Sequence, residues 1–434
     1  MKKTFLFTLL VTFFFAQGIF AATDAELEAR FERLAQQNAR LMKKVETLEK
    51  RLAVFEAQGA SEPVAKPAKE EEKDVGFLSD LENKVTFNGL IKFGGVYQDI
   101  KKKGHGDEDR SDLALTTVEL GLGVELNDWV NAEMILLYED PIFGEESSLD
   151  LDVAAVTFGN TEKYPLYLSV GKMYVPFGAL LTHFPEDPLW DSPVTLTFGE
   201  TSEKAALLGL SYKSLNLSAY AFNGDMEEKD SDNSIDSYGF DANFSHHVEL
   251  TSGGIWGKGE RFKLEDVCGG YEILLGASYI SNIAESDGLG DALGIDELED
   301  QIGGMAAYLH LGYRALFLDM EYMTAIKDFE PEELAQNNGK GARPSVWNIE
   351  AGFNICTFSD RVLEVAFQYA GSDETEGLGF PKSRYGLNFN QELLENVTFS
   401  LGYAHDKYHD GTVDDEGHEM DERDIVFSQV AVEF

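Results

Sequence analysis

Hydrophobic and polar positions alternate with a period of two along much of this chain, which is the pattern of half-buried β-strands. In the final segment, the residues on one strand face are Val426, Ser428, Val430, Val432 and Phe434. Gln429 and Glu433 fall on the opposite face. A strand with one apolar and one polar face, ending at an aromatic residue, is typical of the closing strand of an outer-membrane barrel. An edge strand of a soluble sandwich is the alternative, but the repetition of the pattern favours a barrel.

About sixteen segments with this alternation lie between residues 85 and 434. This is an even number, as expected for a bacterial barrel with both ends in the periplasm. They lie near residues 85–97, 114–126, 130–139, 149–159, 165–175, 204–213, 215–223, 236–245, 270–283, 302–312, 316–325, 346–355, 362–370, 383–390, 397–405 and 424–434. We therefore predict an all-β, antiparallel transmembrane barrel. Residues 246–269 fall on the short-turn side and are long, so an extra hairpin there would raise the count to eighteen.

The connections between these segments alternate in length, which indicates the topology. Short turns, as at 127–129, are expected in the periplasm, and long loops are expected outside the cell. The predicted long loops, acidic or rich in glycine, are residues 99–112, 176–202, 224–235, 284–301, 326–345, 371–382 and 406–423.

The residues before the barrel indicate export and self-association. Residues 1–21 have the basic start, apolar run and small residues of a secretory signal peptide. Residues 22–58 predict a periplasmic coiled-coil helix, whose heptad positions are Leu27, Phe31, Leu34, Asn38, Leu41, Val45, Leu48, Leu52 and Phe55. A single amphipathic helix packed on the barrel mouth is the alternative. We expect a homo-oligomer, with the choice between dimer and trimer open, then a linker at 59–83 and the barrel at 84–434.

Composition excludes some functions. Lys and Arg number 35 against 78 Asp and Glu, a formal net charge of -43, which excludes a nucleic-acid-binding protein. The sequence contains no G-x-S-x-G, P-loop or H-E-x-x-H motif. We therefore predict that the protein is not an enzyme and binds no cofactor. The two cysteines, Cys268 and Cys356, have no zinc-site or redox spacing. A disulfide between them is conceivable in an oxidising compartment, although their predicted strands are not neighbours.

The predicted functional surface is the inner face of the barrel. Its charged residues, taken from strand parity, are Lys92, Glu119, Glu125, Glu133, Asp241, Asp319, Glu321, Glu350, Glu364 and Arg384. For any one of these, simple hydration of a wide lumen is the alternative. Together, the excess of carboxylates should favour the passage of cations.

Two loops carry further candidate residues. The third external loop, residues 176–202, is predicted to fold inward and narrow the pore with His183, Glu186, Asp187 and Asp191, unless it is an ordered surface loop without a role in permeation. In the last external loop the candidates for binding a cation or an iron chelate are His405, His409, His418, Asp410 and Asp414. Their spacing fits no defined metal motif, so a hydrated acidic loop is the alternative and we predict no firm metal site.

Several short motifs add a resemblance to a known family. They are "VTFNGLIKFGGVY" at 85–97, "VGKMYVPFG" at 170–178 and "GASYISNIAES" at 276–286, together with the signal, the heptad helix and the strand ending at Phe434. The chain resembles the LbtU-type siderophore porins of Gram-negative bacteria, a resemblance that spans nearly the whole mature chain. It implies iron transport, by uptake of an iron-siderophore complex across the outer membrane without TonB.

Two other functions stay open beside siderophore uptake. They are a general cation-preferring diffusion porin and a structural outer-membrane tether that uses the periplasmic coiled coil. A TonB-dependent receptor is excluded, because about 350 residues are too few for a plug domain and a barrel of about 22 strands.

Overall fold

The structure of the protein is a computed structural model. The structure describes residues 84–434, except 141, 144–146, 180–187, 190–192, 230–234, 249–270, 296, 357–360 and 415–416. The predicted signal peptide, coiled-coil helix and linker therefore lie outside the described residues. Cys268 does too, so its pairing with Cys356 stays a prediction.

The described residues form a closed antiparallel barrel of sixteen strands, which confirms the predicted fold class. The strands are β1 Val85–Lys102, β2 Glu108–Asn127, β3 Val130–Glu139, β4 Ser148–Gly159, β5 Leu166–Tyr174, β6 Ser202–Tyr212, β7 Leu215–Phe222, β8 Ser237–Val248, β9 Tyr271–Ile280, β10 Gly304–Tyr313, β11 Leu316–Ala325, β12 Ser345–Cys356, β13 Val362–Asp373, β14 Ser383–Leu394, β15 Val397–Lys407 and β16 Met420–Glu433. Each strand pairs with the next along the chain, and β16 closes the ring on β1.

The eighteen-strand alternative is wrong. Val248 at the end of β8 pairs directly with Tyr271 at the start of β9, and the pairing continues without a break to Gly239 and Ile280. An extra hairpin in the wall would have to lie between these two strands. Two short segments outside the ring, Glu227–Glu228 and Glu297–Leu298, form a separate parallel pair in the loops.

The alternating sequence pattern produces an apolar outer face and a polar inner face. On β1, for example, Ile91 and Phe93 are exposed, and Lys92 between them is 9% exposed. Large apolar side chains are also strongly exposed on other strands, including Leu120 and Leu275. Because side chains in a strand alternate between its two faces, the exposed set covers the outside of the barrel and the polar set lines the lumen.

The barrel wall is much taller on one side than on the other. β1 and β2 have 18 and 20 residues, whereas β5 and β7 have 9 and 8. The predicted long loop at 99–112 is therefore wrong, because most of it continues the β1–β2 ladder and only residues 103–107 connect the two strands. In this upper part of β1 and β2 the alternation of apolar and polar residues stops, but the two strands remain paired. Polar side chains form hydrogen bonds between them: Tyr97 Oη donates to Asp109 Oδ1 at 2.9 Å.

Loops from several strands pack together inside the mouth of the barrel. They include two short helices, α1 Val194–Gly199 and α2 Asp287–Leu293, and two 3₁₀ turns, Ile283–Glu285 and Glu376–Leu378. A single apolar core joins them to the upper strands, and its fully buried side chains include Phe177, Phe198, Ile283, Leu289 and Phe329. The mouth is therefore filled by packed loops over part of its area.

Within the described ranges, no helix is long and apolar enough to cross a membrane.

Candidate functional site

The charged residues predicted on the inner face differ in how far the structure buries them. Glu125 and Glu133 are exposed, and Glu119 and Asp319 are half-buried. The buried ones are Lys92, Asp241, Glu321, Glu350, Glu364 and Arg384. Strand parity gives no information about this difference, which depends on the loops that cover each strand.

One side of the lumen, formed by β8 to β11, is acidic and hydrogen-bonded. Asp241 Oδ1 accepts hydrogen bonds from Ser278 Oγ at 3.0 Å and Tyr308 Oη at 2.7 Å. Further along the wall, His310 Nδ1 lies 2.5 Å from Asp319 Oδ1. A recess of about 140 Å³ beside these groups is lined partly by Glu321. This wall combines several carboxylates with one imidazole, which is an environment that attracts cations.

Another part of the wall, formed by β14 to β16, carries a compact ion-pair group. Asp406 is fully buried and lies between two guanidinium groups, with Arg384 Nε at 2.7 Å from Oδ1 and Arg423 Nη2 at 2.7 Å from Oδ2. Burial raises the cost of a lone carboxylate, and the two arginines compensate for it. Asp406 and Arg423 were not among the residues predicted on this face. Strand parity does identify Arg423 as an inner-face residue, because it lies an even number of positions from Gln429 on β16.

The described parts of the third external loop contact two different parts of the barrel wall. We call residues 175–201 loop 3; it is described at 175–179, 188–189 and 193–201. Near its start, Gly178 N donates to Ser278 Oγ at 2.9 Å and Ala179 N donates to Glu321 Oε1 at 2.6 Å. Further along, the carbonyl oxygen of Pro188 accepts hydrogen bonds from the side chains of β14. The predicted constriction residues His183, Glu186, Asp187 and Asp191 lie outside the described residues, so their role stays a prediction.

Three carboxyls in the loops were not predicted: Glu285 is buried, Glu200 is half-buried and Asp287 is exposed at the surface. The pKa of Glu200, just after α1, is raised to about 8 by burial and, second, by Asp287. Burial raises the pKa of Asp287 to about 7. It also raises the pKa of Glu285 to about 7, although the amides of Asp225 and Met226 donate to that carboxylate at 2.9 and 3.1 Å. The sequence carries no signal for these burials, which come from packing between distant loops.

The predicted cation-binding residues of the last external loop are engaged separately. His405 Nδ1 lies 2.8 Å from Asp424 Oδ1, and His409 Nε2 lies 3.0 Å from the carbonyl of Ser372. The remaining three residues contact other partners: Asp410 pairs with Lys103, Asp414 with Lys102, and the His418 ring packs on His105. Across the part of the chain that the structure describes, no three His, Cys, Asp or Glu residues are grouped to hold a metal ion.

Comparison with protein families and curated proteins gives distant relatives. No family model matches the chain. It is 26% identical over 332 residues to a UPF0422 protein of Coxiella burnetii, a match that covers 74% of this chain and 64% of that protein. It is 27% identical over 318 residues to a UPF0422 protein of Legionella pneumophila, which covers 68% of this chain and 54% of that protein. The chain thus spans less than two thirds of the length of these relatives, and their names do not confirm the siderophore-porin resemblance.

Solved structures of outer-membrane channels resemble the barrel. The anion-selective porin from Comamonas acidovorans matches with a TM-score of 0.53 and 10% identity, over 81% of this chain and 99% of that one. The outer-membrane channel DcaP of Acinetobacter baumannii matches with a TM-score of 0.46 and 11% identity, over 81% of this chain and 97% of that one. At such low identity, the match to the Comamonas porin shows the fold alone, and that fold is the sixteen-stranded barrel of porins.

Proposed function

We propose that the chain forms a passive channel in the outer membrane of a Gram-negative bacterium. The observation that carries this proposal is the closed barrel with an apolar exterior and a charged, hydrogen-bonded interior. In lipid every backbone N–H and C=O must be paired within the protein, and a closed barrel achieves this without an unpaired strand edge. A polar lumen inside such a ring offers water and solutes a path across the membrane.

We further propose that its solute is an iron-siderophore complex, taken up without TonB. The sequence resemblance to siderophore porins supports this. The ion-pair group on β14 to β16 also supports it, because the two charges of Arg384 and Arg423 and the one of Asp406 sum to +1. An anionic chelate would meet a favourable local charge there, away from the carboxylates of β8 to β11.

A general cation-preferring diffusion porin is the second candidate, and the net charge of -43 favours it. In both cases the predicted helix at 22–58 would lie in the periplasm and link copies of the chain into a homo-oligomer. The third candidate is the structural outer-membrane tether, which differs from a channel because its barrel would not conduct ions.

Conductance and uptake measurements test these proposals. Purified protein, with and without residues 22–58, is inserted into planar lipid bilayers. A channel gives stepwise conductance in both forms, and a silent bilayer refutes the channel. For the substrate, a deletion strain under iron limitation is complemented with the gene, and uptake of radiolabelled ferric siderophore is followed. Equal uptake with and without the gene refutes siderophore transport and favours the general porin.

A further inference from the structure

Two lysines on the outer face of the barrel have no role in the proposed channel. Lys172 on β5 and Lys204 on β6 lie directly opposite each other in the antiparallel ladder. We propose that these two lysines bind the phosphate group of a lipid headgroup in the outer leaflet of the membrane. This inference goes beyond the proposed function, because it rests on the outer-membrane location and does not require the barrel to conduct.

The pattern of burial shows that both lysines point away from the lumen. On β6, Lys204 and Leu208 are exposed, whereas Glu203, next to Lys204, is 7% exposed. On β5, Lys172 lies an even number of residues from the exposed Leu168 and therefore shares its face. Side chains in a strand alternate between its two faces. Both lysines thus belong to the outer, largely apolar face of the wall.

The two lysines also lie at the height of the outer aromatic row. Cross-strand pairs of outward side chains follow the upper part of the wall, each pair two strands and two residues from the next. From β14 to β5 these pairs are Tyr385/Tyr369, Trp347/Tyr322, Met305/Tyr279, Tyr238/Ala221 and Lys204/Lys172. The strands of such a barrel are tilted by about 40°, and this shift follows the tilt. Because tyrosine and tryptophan concentrate at membrane–water interfaces, the lysines lie at the depth of lipid headgroups.

The lysine pair is unfavourable unless an anion binds to it. Like charges directly opposite each other on neighbouring strands destabilise a sheet. Among the described residues, neither Lys172 nor Lys204 forms an ion pair through its side chain. A phosphate carries negative charge and several acceptor oxygens, and each lysine ammonium group has three N–H donors. A phosphate between the two ammonium groups would therefore replace their repulsion with attraction.

Three carboxylates attract Lys172 at longer range, but each is bonded elsewhere. They are those of Asp152, Glu203 and Asp287. Asp152 Oδ1 accepts a hydrogen bond from Tyr174 Oη at 2.5 Å. Glu203 Oε2, on the lumen side of the wall, accepts one from the next backbone amide at 3.2 Å, and Asp287 accepts one from a backbone amide at the start of β6. The two ammonium groups thus keep their N–H donors for a ligand.

The surroundings of the lysines favour a lipid over a free anion. On the periplasmic side of the lysines, the next outward pairs are Val170 with Ala206 and Leu168 with Leu208. These side chains form part of the apolar band that contacts acyl chains in a membrane. A lipid can place its phosphate on the lysines and an acyl chain on this band at the same time. A free phosphate would use the lysines alone.

The first test measures lipid binding by native mass spectrometry. The mature chain in detergent is titrated with diphosphoryl lipid A, and separately with lipid A that lacks both phosphates. We expect K172Q/K204Q to bind the diphosphoryl form about ten-fold more weakly than wild type, because two positive charges at the headgroup are lost. The form without phosphates should bind both proteins equally weakly, and K172R/K204R should bind like wild type. Equal binding of the diphosphoryl form by K172Q/K204Q and wild type overturns the proposal.

Two controls separate the site from other causes. K213Q/R314Q removes the same charge from two exposed turns at the opposite end of the barrel, so it should bind the lipid like wild type. All variants are compared as the folded, heat-modifiable form. If K213Q/R314Q weakens binding as much as K172Q/K204Q does, the effect is one of net charge and the site is refuted. Complete displacement of the lipid by millimolar inorganic phosphate would also refute it, in favour of a site for the free anion.

A depth measurement tests the position of the lysines without relying on any lipid preference. In a background with C268S and C356S, K204C or L208C carries a fluorophore, and the protein is placed in liposomes with spin-labelled lipids. A spin label at the headgroup should quench the K204C probe most, and a label deep in the acyl chain should quench the L208C probe most. Strongest quenching of the K204C probe by the deep label would place the lysines within the hydrocarbon layer and overturn the proposal.

The lipid site and the channel can fail independently. If bilayers with wild-type protein stay silent while K172Q/K204Q loses the lipid, the channel proposal fails and the lipid site stands. If wild type conducts and K172Q/K204Q binds the lipid like wild type, the lipid site fails and the channel stands.

Discussion

At the residue scale, the unusual groups are two carboxyls where α1 meets α2, the half-buried Glu200 and the exposed Asp287. The amide of Asp287 donates to the carbonyl of Glu200 at 2.8 Å, which brings the two residues together in the mouth. The pKa of Glu200 is raised to about 8 and that of Asp287 to about 7, mainly by burial. A raised carboxyl pKa means that the packed mouth favours the protonated, neutral form.

This predicts that the loop packing weakens as the pH rises. The stabilisation is fully present below the ordinary carboxyl pKa and is lost as the pH passes through the raised values of about 7 for Asp287 and about 8 for Glu200. Hydrogen exchange at the amides of α1 and α2 should therefore speed up between about pH 5 and about pH 8, beyond the intrinsic change in exchange rate. In E200Q/D287N that extra increase should vanish. The same pH dependence in wild type and variant would contradict the assignment.

These residues show the limit of sequence-based prediction at this scale. Strand parity assigns a residue to a face, as it does for Asp241 and Arg384, because the period of a strand is fixed. It does not give the partners of a side chain. The burial of Glu200 depends on contacts with a loop more than eighty residues further on, at Asp287, and only the folded chain supplies those contacts.

At the scale of elements, the strands were predictable and the loops were not. All sixteen strands can be predicted from the alternation of apolar and polar residues, because one face of each strand meets apolar surroundings and the other face does not. The short helix at Val194–Gly199 has no such signal. It lacks a side-chain N-cap, and it is almost completely buried, so its environment rather than its own sequence stabilises it.

One glycine is critical for pairing between two strands. Gly171 in β5 has a φ of 137°, and a Cβ on it would collide with the backbone carbonyl of Ala154 on β4. We expect G171A to disrupt the β4–β5 ladder, because alanine disfavours this φ and the clashing atom is backbone that cannot move aside. The readout is the yield of barrel that migrates as a folded, heat-modifiable band on gels. G123A serves as a control, since its Cβ would meet only Thr86 at 3.9 Å. Wild-type yield for G171A would contradict this view.

At the scale of the whole molecule, the distribution of charge should decide which ions pass. The carboxylates of β8 to β11 lie on a different part of the wall from Arg384 and Arg423, which share one aspartate. With a net charge of -43, the chain as a whole repels anions. The sequence provides the total charge, but the division of the lumen into two unlike sides depends on strand order.

We therefore predict a preference for cations that depends on salt. Reversal potentials in bilayers should show it at about 0.1 M KCl, and it should fade towards about 1 M, because the screening length falls from about 10 Å to about 3 Å. R423Q should increase the preference by removing a positive charge, and E133Q should reduce it. A preference for anions would mean that the inner and outer faces have been exchanged.

Because the barrel wall is unequal in height, solutes would reach the proposed channel more easily from one side than from the other. At about 3.3 Å per residue, β2 extends roughly 65 Å along its axis and β7 only roughly 25 Å. In the proposed outer-membrane location, the upper part of β1 and β2 would extend further from the membrane than the rim near β5 to β7. Molecules arriving from the medium would meet the long strands β1 and β2 on one side of the barrel and the short wall near β5 to β7 on the other. Under the proposed channel function, we expect solutes to enter obliquely, over the lower rim near β5 to β7.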